Sequence, residues 1–310
     1  MPQFDITIAG ELNLDLILYG LPEQLIPERE LLAKEMSLTL GASSGIVAHN
    51  LAALGSRVGF YSKIGKDAMG DIALQRLSEA GVDVSRVQRA SDGTNTGLTV
   101  ILQHGKWRNI LTYLGTIAQL KYEELDFEYL SSARHFHLCS YYLQAGLRPR
   151  VPELFQKLKA AGLSVSLDTN DDPEGTWQGG LQEALRYVDV FLPNEREAKQ
   201  AAGTEDLEEA AAKLSQVVGV VVVKVGADGS IARRGQERVS SPGVKVKVID
   251  PVGAGDSFDA GFVSEYVKGA SLEQCLRAGN LAGAYSTTAA GGTEAFRDRE
   301  RLKAFWREHS

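Results

Sequence analysis

Near its C-terminal end the chain reads "VIDPVGAGDSFDAGFV", residues 248–263. Gly253, Ala254, Gly255 and Asp256 lie between a strand-like run and a helical one. The first turn of a helix carries backbone N–H groups without partners, and the helix dipole adds about half a positive charge there. Glycines let a ligand reach that bare backbone. The combination suits an anion such as phosphate. A carboxylate at position 256 would repel the anion unless it faces something else. Attack of a hydroxyl on the phosphate reconciles the two: Asp256 accepts the hydroxyl proton while the amides hold the charge building on the transferring group. The alternative is a capped helix, in which Asp256 contributes about 0.5–2 kcal/mol and no chemistry.

Such a turn needs a scaffold to place it. "FDITIAG", "RVGFYSKIG", "RHFHLCS", "LSVSLDTN", "VDVFLPN" and "VGVVVVKVG" read as buried strands. Between them, "SSGIVAHNLAALG" (stopped by Gly55), "DAMGDIALQRLSEAG", "VPELFQKLKAAG" and "DLEEAAAKLSQ" read as helices. The alternation predicts an α/β fold, a mostly parallel sheet with helices on both faces. The last third ends in helices expected over 254–268, about 271–290 and about 298–308. Two stretches, about 11–40 and 96–114, lack a helical pattern. "TGLTVILQHGKWRNILTYLG" reads as two strands turning at His104, Gly105 and Lys106, and "ELLAKEMSLTLG" as extended. They predict a small separate sheet inserted into one domain spanning 1–310, a lid over the carboxyl ends of the parallel strands. An edge extension of the main sheet is the alternative.

The 310 residues are 44% hydrophobic with a formal net charge of -7, enough for a sizeable core. No long basic run appears, so no nucleic-acid partner is expected. Cys139 and Cys275 sit in apolar surroundings and read as reduced core residues. "MPQFDITIAGELNLD" lacks a cationic-then-apolar leader pattern, and no apolar run reaches membrane-span length. A cytoplasmic protein with no membrane partner is expected. His135 and His137 share a strand face, but no third ligand stands at a sensible spacing for a metal. Neither a G-x-G-x-x-G after the first strand nor a G-x-x-x-x-G-K-[ST] is present. Ser140, just past its strand, is placed to touch a substrate. Trp107 and Arg108, in the expected lid, are placed to close over it, with Arg108 able to pair with an acidic sugar.

"DPVGAGDSFDAGFV" resembles the C-terminal signature of the PfkB, or ribokinase-like, carbohydrate kinases, and further motifs follow the family order along nearly the whole chain. The resemblance implies a ribokinase-like fold with a β-sheet lid, Asp256 as catalytic base and residues 253–256 as anion hole. "GELNLDLIL" is similar to the family's first strand and lid entry, which implies that Asn13 and Asp15 bind sugar hydroxyls; a turn or cap at a strand end is the plainer alternative. "GASSGIVAHNLAALG" resembles the N-terminal signature and places Gly41, Ala42 and Ser43 against the sugar. It departs twice: Ala42 replaces a glycine, and Ile46 stands where a sugar-binding Asn is expected, which leaves the substrate open. "FLPNEREAK" resembles the Asn-x-x-Glu motif, implying that Asn194 and Glu197 help order Mg²⁺ and phosphate through water; a helix-capping box is the alternative.

"VVVVKVGADGS" is similar to the family's nucleotide-holding strand and turn, with Lys224, Gly226, Ala227 and Gly229 lining phosphate and adenosine. A lysine in so apolar a strand needs an anion or a path to solvent, and a plain hairpin turn is the alternative for "GADG". Asn280 falls where the family contacts the adenine region. Many members bind a monovalent cation beside the anion hole. The matching positions are Asp250, Val252, Ser286, Ala289, Gly291 and Ala295, mostly through carbonyls, with K⁺ the implied ion. The expected activity is ATP- and Mg²⁺-dependent phosphorylation of a primary hydroxyl on a small carbohydrate. A nucleoside kinase of the same fold and a non-catalytic sugar- or nucleotide-binding protein are the alternatives. The resemblance also allows a homodimer through the lid.

Overall fold

A computed structural model describes residues 2–105 and 107–309. Lys106, in the expected lid turn, lies outside the described residues. The chain opens with β1 (Ile6–Ala9), β2 (Leu14–Leu21) and β3 (Glu35–Leu40). Then come α1 (Ser43–Ala53), β4 (Val58–Ile64), α2 (Ala68–Glu79), β5 (Asp83–Arg89), β6 (Leu98–His104) and β7 (Trp107–Tyr113). The middle runs through α3 (Phe127–Ser131), β8 (His135–Leu138), α4 (Val151–Ala160), β9 (Ser164–Leu167) and α5 (Leu181–Leu185). It continues with β10 (Val190–Phe191), α6 (Glu195–Ala202), α7 (Leu207–Leu214) and β11 (Val220–Lys224). The hairpin β12 (Gly229–Arg234) and β13 (Glu237–Pro242) precedes α8 (Ala254–Tyr266), α9 (Leu272–Ser286), α10 (Glu294–Arg297) and α11 (Arg299–His309).

Nine strands form the main sheet in the order β13-β12-β11-β10-β9-β8-β1-β4-β5, parallel except at the β12–β13 edge. The central strands are buried on both faces and are therefore near-continuous apolar runs. Successive residues feed opposite faces. On β11, Val221 and Val223 join one core with Phe136, Leu154 and Phe155, while Val220 and Val222 join the other with Ile6, Ile8, Phe262 and Val263. The polar exceptions are paired inside. The rings of His135 and His137 share the Ser166 hydroxyl at 2.6 Å each, and His135 also meets Ser164 at 2.7 Å. Burial holds the two rings down to about 3 and about 4, so both stay neutral core groups.

The second sheet is four-stranded, in the order β3-β2-β6-β7, with β2 and β6 parallel. Its strands fall in the two stretches that interrupt the βα alternation. Helix α9 stops at Ser286, short of the expected 290. The carbonyl of Thr287, its C-cap residue, accepts the amides of Ile249 (2.7 Å) and Asp250 (3.2 Å), so the end of the helix is spent on the loop that leads to α8.

Candidate active site

Helix α8 begins at a left-handed Gly253 (φ 73°) with no side-chain cap. A Cβ there would lie 2.4 Å from Gly292 Cα, so backbone conformation and space both demand glycine. The helix ladder starts with Ser257 N donating to Gly253 O at 2.9 Å, and Ala254 N turns back to Pro251 O at 3.3 Å. The amides of Gly255 and Asp256 stand ahead of that ladder, free to meet an anion.

Two cavities meet at this turn. The smaller, about 280 Å³, is lined by Gly253 and Asp256 together with Asn13, Asp15, Ala42, Ser43, Ile46, Arg108 and Ser140. The larger, about 650 Å³, is lined by Ala254 and Gly255 together with Lys224, Gly226, Ala227, Gly229 and Asn280. The turn therefore separates them, with the carboxylate on one side and glycine backbone on the other.

Asp256 is buried. Its carboxyl is pushed up to about 6 by that burial first and by the Asp168 charge second, while Lys224 and a hydrogen bond from Ser43 pull the other way. Asp15 reaches about 7 through burial and the neighbouring charges of Asp256 and Asp250. Gly41 makes room for it, since a Cβ at Gly41 would stand 2.1 Å from Asp15 Oδ1. Asn13 donates to Leu14 O at 3.0 Å and to Thr99 Oγ1 at 3.4 Å. Ser140, at φ 51°, donates its amide to Asn170 Oδ1 at 2.8 Å.

The two departures from the family signature have different structural consequences. Ile46 lines the small cavity but is itself buried, and its Cδ1 stands 3.3 Å and 2.7 Å from where Cβ atoms on Gly253 and Gly292 would lie. It buttresses the anion-binding turn with apolar contact. Ala42 caps α1 at φ 62°, ψ 129°, a conformation that disfavours any side chain. Ala42→Gly should relieve that strain and supply a better N-cap residue. The expected gain is about 1 kcal/mol, read as a higher urea midpoint at unchanged m-value.

Lys224 lines the large cavity as expected, but it already has anionic partners. Its Nζ is not waiting for a ligand: it lies 2.6 Å from Asp168 Oδ2 and 3.1 Å from Asp259 Oδ1, both buried. The anion that an apolar strand's lysine requires is thus supplied by the chain itself. Asp259 is driven well above the carboxylate range by burial. Asp168 is also buried, yet the Lys224 charge overcomes this and holds it low. Lys224 nevertheless borders the turn, since its Nζ is 3.6 Å from where a Cβ on Gly255 would be. The "GADG" segment is a true hairpin turn between β11 and β12, and it lines the cavity as well. Asn280 Nδ2 donates to the carbonyls of Ser241 (3.0 Å) and Pro242 (3.1 Å) at the cavity wall.

Asn194 and Glu197 form the capping box of α6 and line neither cavity. They sit at the carboxyl end of β10, where Asn194 bridges Lys224. Burial and the Asp168 charge raise Glu197 to about 7. Among the described residues no cluster of three or more His, Cys, Asp or Glu could hold a metal ion directly.

At one of the positions matched to a monovalent cation, protein donors already occupy the side chain. The Asp250 carboxylate is fully buried and already accepts four donors. Tyr19 Oη (2.6 Å) and Gly291 N (3.0 Å) reach Oδ2; Gln103 Nε2 (3.2 Å) and Val252 N (3.0 Å) reach Oδ1. A carboxylate has about four acceptor sites, and protein donors fill all four here. Ala295 is buried, and Ser286 Oγ is buried without a partner. Val252 packs on the second sheet, while Ala289 packs on the cluster around Tyr285.

Sequence reasoning missed Glu11, Tyr19, Gln103, Asp168, Asn170 and Asp259. Glu11 accepts the Ser44 hydroxyl at 2.8 Å and its amide at 3.1 Å, tying the end of β1 to α1. Asp259 offered a signal, since it follows Asp256 by three residues and so shares its helix face. The others meet the site only through tertiary contact.

The fold is that of a sugar kinase, and the chain matches the pfkB family carbohydrate kinase pattern over residues 3–299. It belongs to that family and is a phosphotransferase with an alcohol group as acceptor. It is 31% identical over 277 residues to the 2-dehydro-3-deoxygluconokinase of Bacillus subtilis, covering 86% of this chain and 85% of that one. It is 27% identical to the ribokinase of Haemophilus influenzae, covering 97% of each chain. Among solved structures, the ribokinase of Thermotoga maritima matches with a TM-score of 0.82 at 26% identity, over 98% of this chain and 99% of that one. The ribokinase of Arabidopsis thaliana complexed with ribose and ATP shares the fold at a TM-score of 0.82 and 24% identity, over 97% of this chain and 98% of that one. Among the described residues no helix is long and apolar enough to cross a membrane.

Proposed function

We propose that the chain transfers the γ-phosphoryl group of ATP to a primary hydroxyl of a small carbohydrate, with Asp256 as the base. The observation that carries this reading is the division of two cavities by one helix start, with Asp256 on the smaller side and Ala254 and Gly255 on the larger. The sugar occupies the smaller cavity, among Asn13, Asp15, Ser43 and Ser140, and the nucleotide the larger. The acceptor hydroxyl passes its proton to an Asp256 carboxylate oxygen as its own oxygen bonds to the γ-phosphorus. The bond to the β-phosphate oxygen breaks and ADP departs. The amides of Gly255 and Asp256 hold the charge that builds on the transferring group. Bound with ATP, Mg²⁺ would neutralise phosphate charge, and Asn194 and Glu197 are the residues that would order its waters. The second sheet contributes Thr99 and Arg108 to the lining of the small cavity, and its closure over a bound sugar would exclude water.

A nucleoside acceptor has one supporting observation: Ile46, Ile101, Ile110, Ile117 and Leu143 give the small cavity an apolar wall on which a base could rest. ATP turnover across a panel of neutral sugars, sugar acids and nucleosides decides. The expected result is ADP release stimulated at least tenfold by a sugar. Stimulation by nucleosides alone would replace this reading with the second, and binding without turnover on the whole panel would reject both.

The lid also supports a homodimer in this reading. Met36, Leu111 and Tyr113, on the face of the second sheet turned away from the cavity, are each more than half exposed, at 65%, 52% and 55%. A second copy paired through that face would cover them, as exposed apolar clusters usually require. Light scattering should give twice the chain mass for the wild type and the monomer mass for Leu111→Asp.

A further inference from the structure

The second sheet reaches the anion-binding turn through one buried carboxylate. Tyr19 lies on β2 and Gln103 on β6, and both donate to Asp250. Asp250 in turn accepts the amide of Val252, the residue before Gly253, and the amide of Gly291, next to the Gly292 backbone that closes on Gly253. The same seam is apolar around this centre: Ile17 and Ile101 pack on Val252, with Tyr19 alongside. Among the described residues, every donor to Asp250 therefore belongs either to the second sheet or to a segment that shapes the anion-binding turn.

A carboxylate with two oxygens serves about four hydrogen bonds, and all four are made here by protein groups. A cation ligated by this carboxylate would have to displace at least one of them, in a place where each buried donor left unpaired is costly. Burial and the adjacent Asp250 charge push the Tyr19 phenol far above its ordinary range, so it remains a donor throughout the working pH range.

We propose that Tyr19 and Gln103 are positioning residues which, through Asp250, fix the anion-hole turn from the lid and take the place of a monovalent cation. Closure of the lid and alignment of the 253–256 amides become one event, and turnover needs no K⁺. The kinetic part rests on the phosphoryl-transfer reading above; the structural part does not.

Two measurements on the full chain test this. Hydrogen exchange is compared between wild type and Tyr19→Phe, with Gln103→Met as a second, milder variant. The proposal expects faster exchange in both variants over 14–21, 98–104 and 250–256, with the nine-stranded core unchanged. Exchange unchanged in those three segments would overturn it, whether or not any sugar is phosphorylated. In parallel, K⁺ is replaced by tetramethylammonium at constant ionic strength. The wild-type melting temperature should not move, and kcat should stay within twofold. Tyr19→Phe should lower kcat at least tenfold while the Kd for ATP changes less than threefold. A several-fold rise of wild-type kcat or a clear thermal shift with K⁺ would contradict the proposal, as would full turnover in Tyr19→Phe.

Discussion

Asp256→Asn should lower kcat about 10³-fold or more while leaving ATP affinity nearly intact, because the proton acceptor is lost and the helix amides are not. The same substitution should make the protein more stable at pH 8. Asp256 is buried, and its folded-state value is raised from 3.8 to about 6. A raised carboxyl contributes most below its unfolded value and loses that contribution as pH rises through the folded one. At pH 8 the wild type therefore holds a buried charge that Asn does not carry, a difference on the order of 1–3 kcal/mol. Below about pH 4 both side chains are neutral and the advantage disappears. Thermal melts at pH 4 and pH 8, beside turnover assays, separate a catalytic carboxylate from a simple cap. A carboxylate that only complements the helix dipole would leave turnover intact and lose up to about 1 kcal/mol at pH 8 on substitution.

Lys224→Met carries the largest expected stability loss. It would leave Asp168 and Asp259, with side chains 2% and 0% exposed, without their cation. Breaking a buried pair on one side costs about 3–5 kcal/mol. Lys224 is raised above its ordinary 10.5 and Asp168 is lowered below 3.8, so their mutual stabilisation is present between those limits and fades outside them. The loss should thus be greatest near neutral pH and shrink toward pH 4, as the stranded carboxyls take up protons. Urea melts at pH 4.5 and 7.5 measure it. Lys224 also pulls the Asp256 value down, so a Lys224→Met enzyme that still folds should need a higher pH to work. Lys224→Arg keeps the charge and should restore most of both properties.

The anion-binding turn was legible because it is local: a glycine pair, a helix start and one carboxylate lie within four residues. The buried parallel strands were legible for the same reason, as uninterrupted β-branched runs such as "VGVVVVKVG". Strands β5, β12 and β13 were not, since "DVSRVQR" and "GSIARRGQERVSSP" are polar edge segments whose short alternation resembles loop sequence. Lys224 drew the right question, what anion answers it, but the answer lies 56 residues away in Asp168 and 35 away in Asp259. Asp250 was visible in the sequence, but its partners were not, because Tyr19 and Gln103 stand 231 and 147 residues from it and only the fold brings them together. The Ala42 and Ile46 departures were visible as letters. Their meaning, a strained helix cap and an apolar buttress under the turn, required the backbone angles and the contacts with Gly253 and Gly292.

The pH dependence of kcat/KM for the best acceptor in the panel tests the assignment of Asp256 most directly. The proposed base must be ionised, so the rate should fall tenfold per pH unit below about 6 and level off above it. A profile flat down to pH 4.5, in an enzyme still folded there, would show that no carboxyl with this environment takes the acceptor's proton.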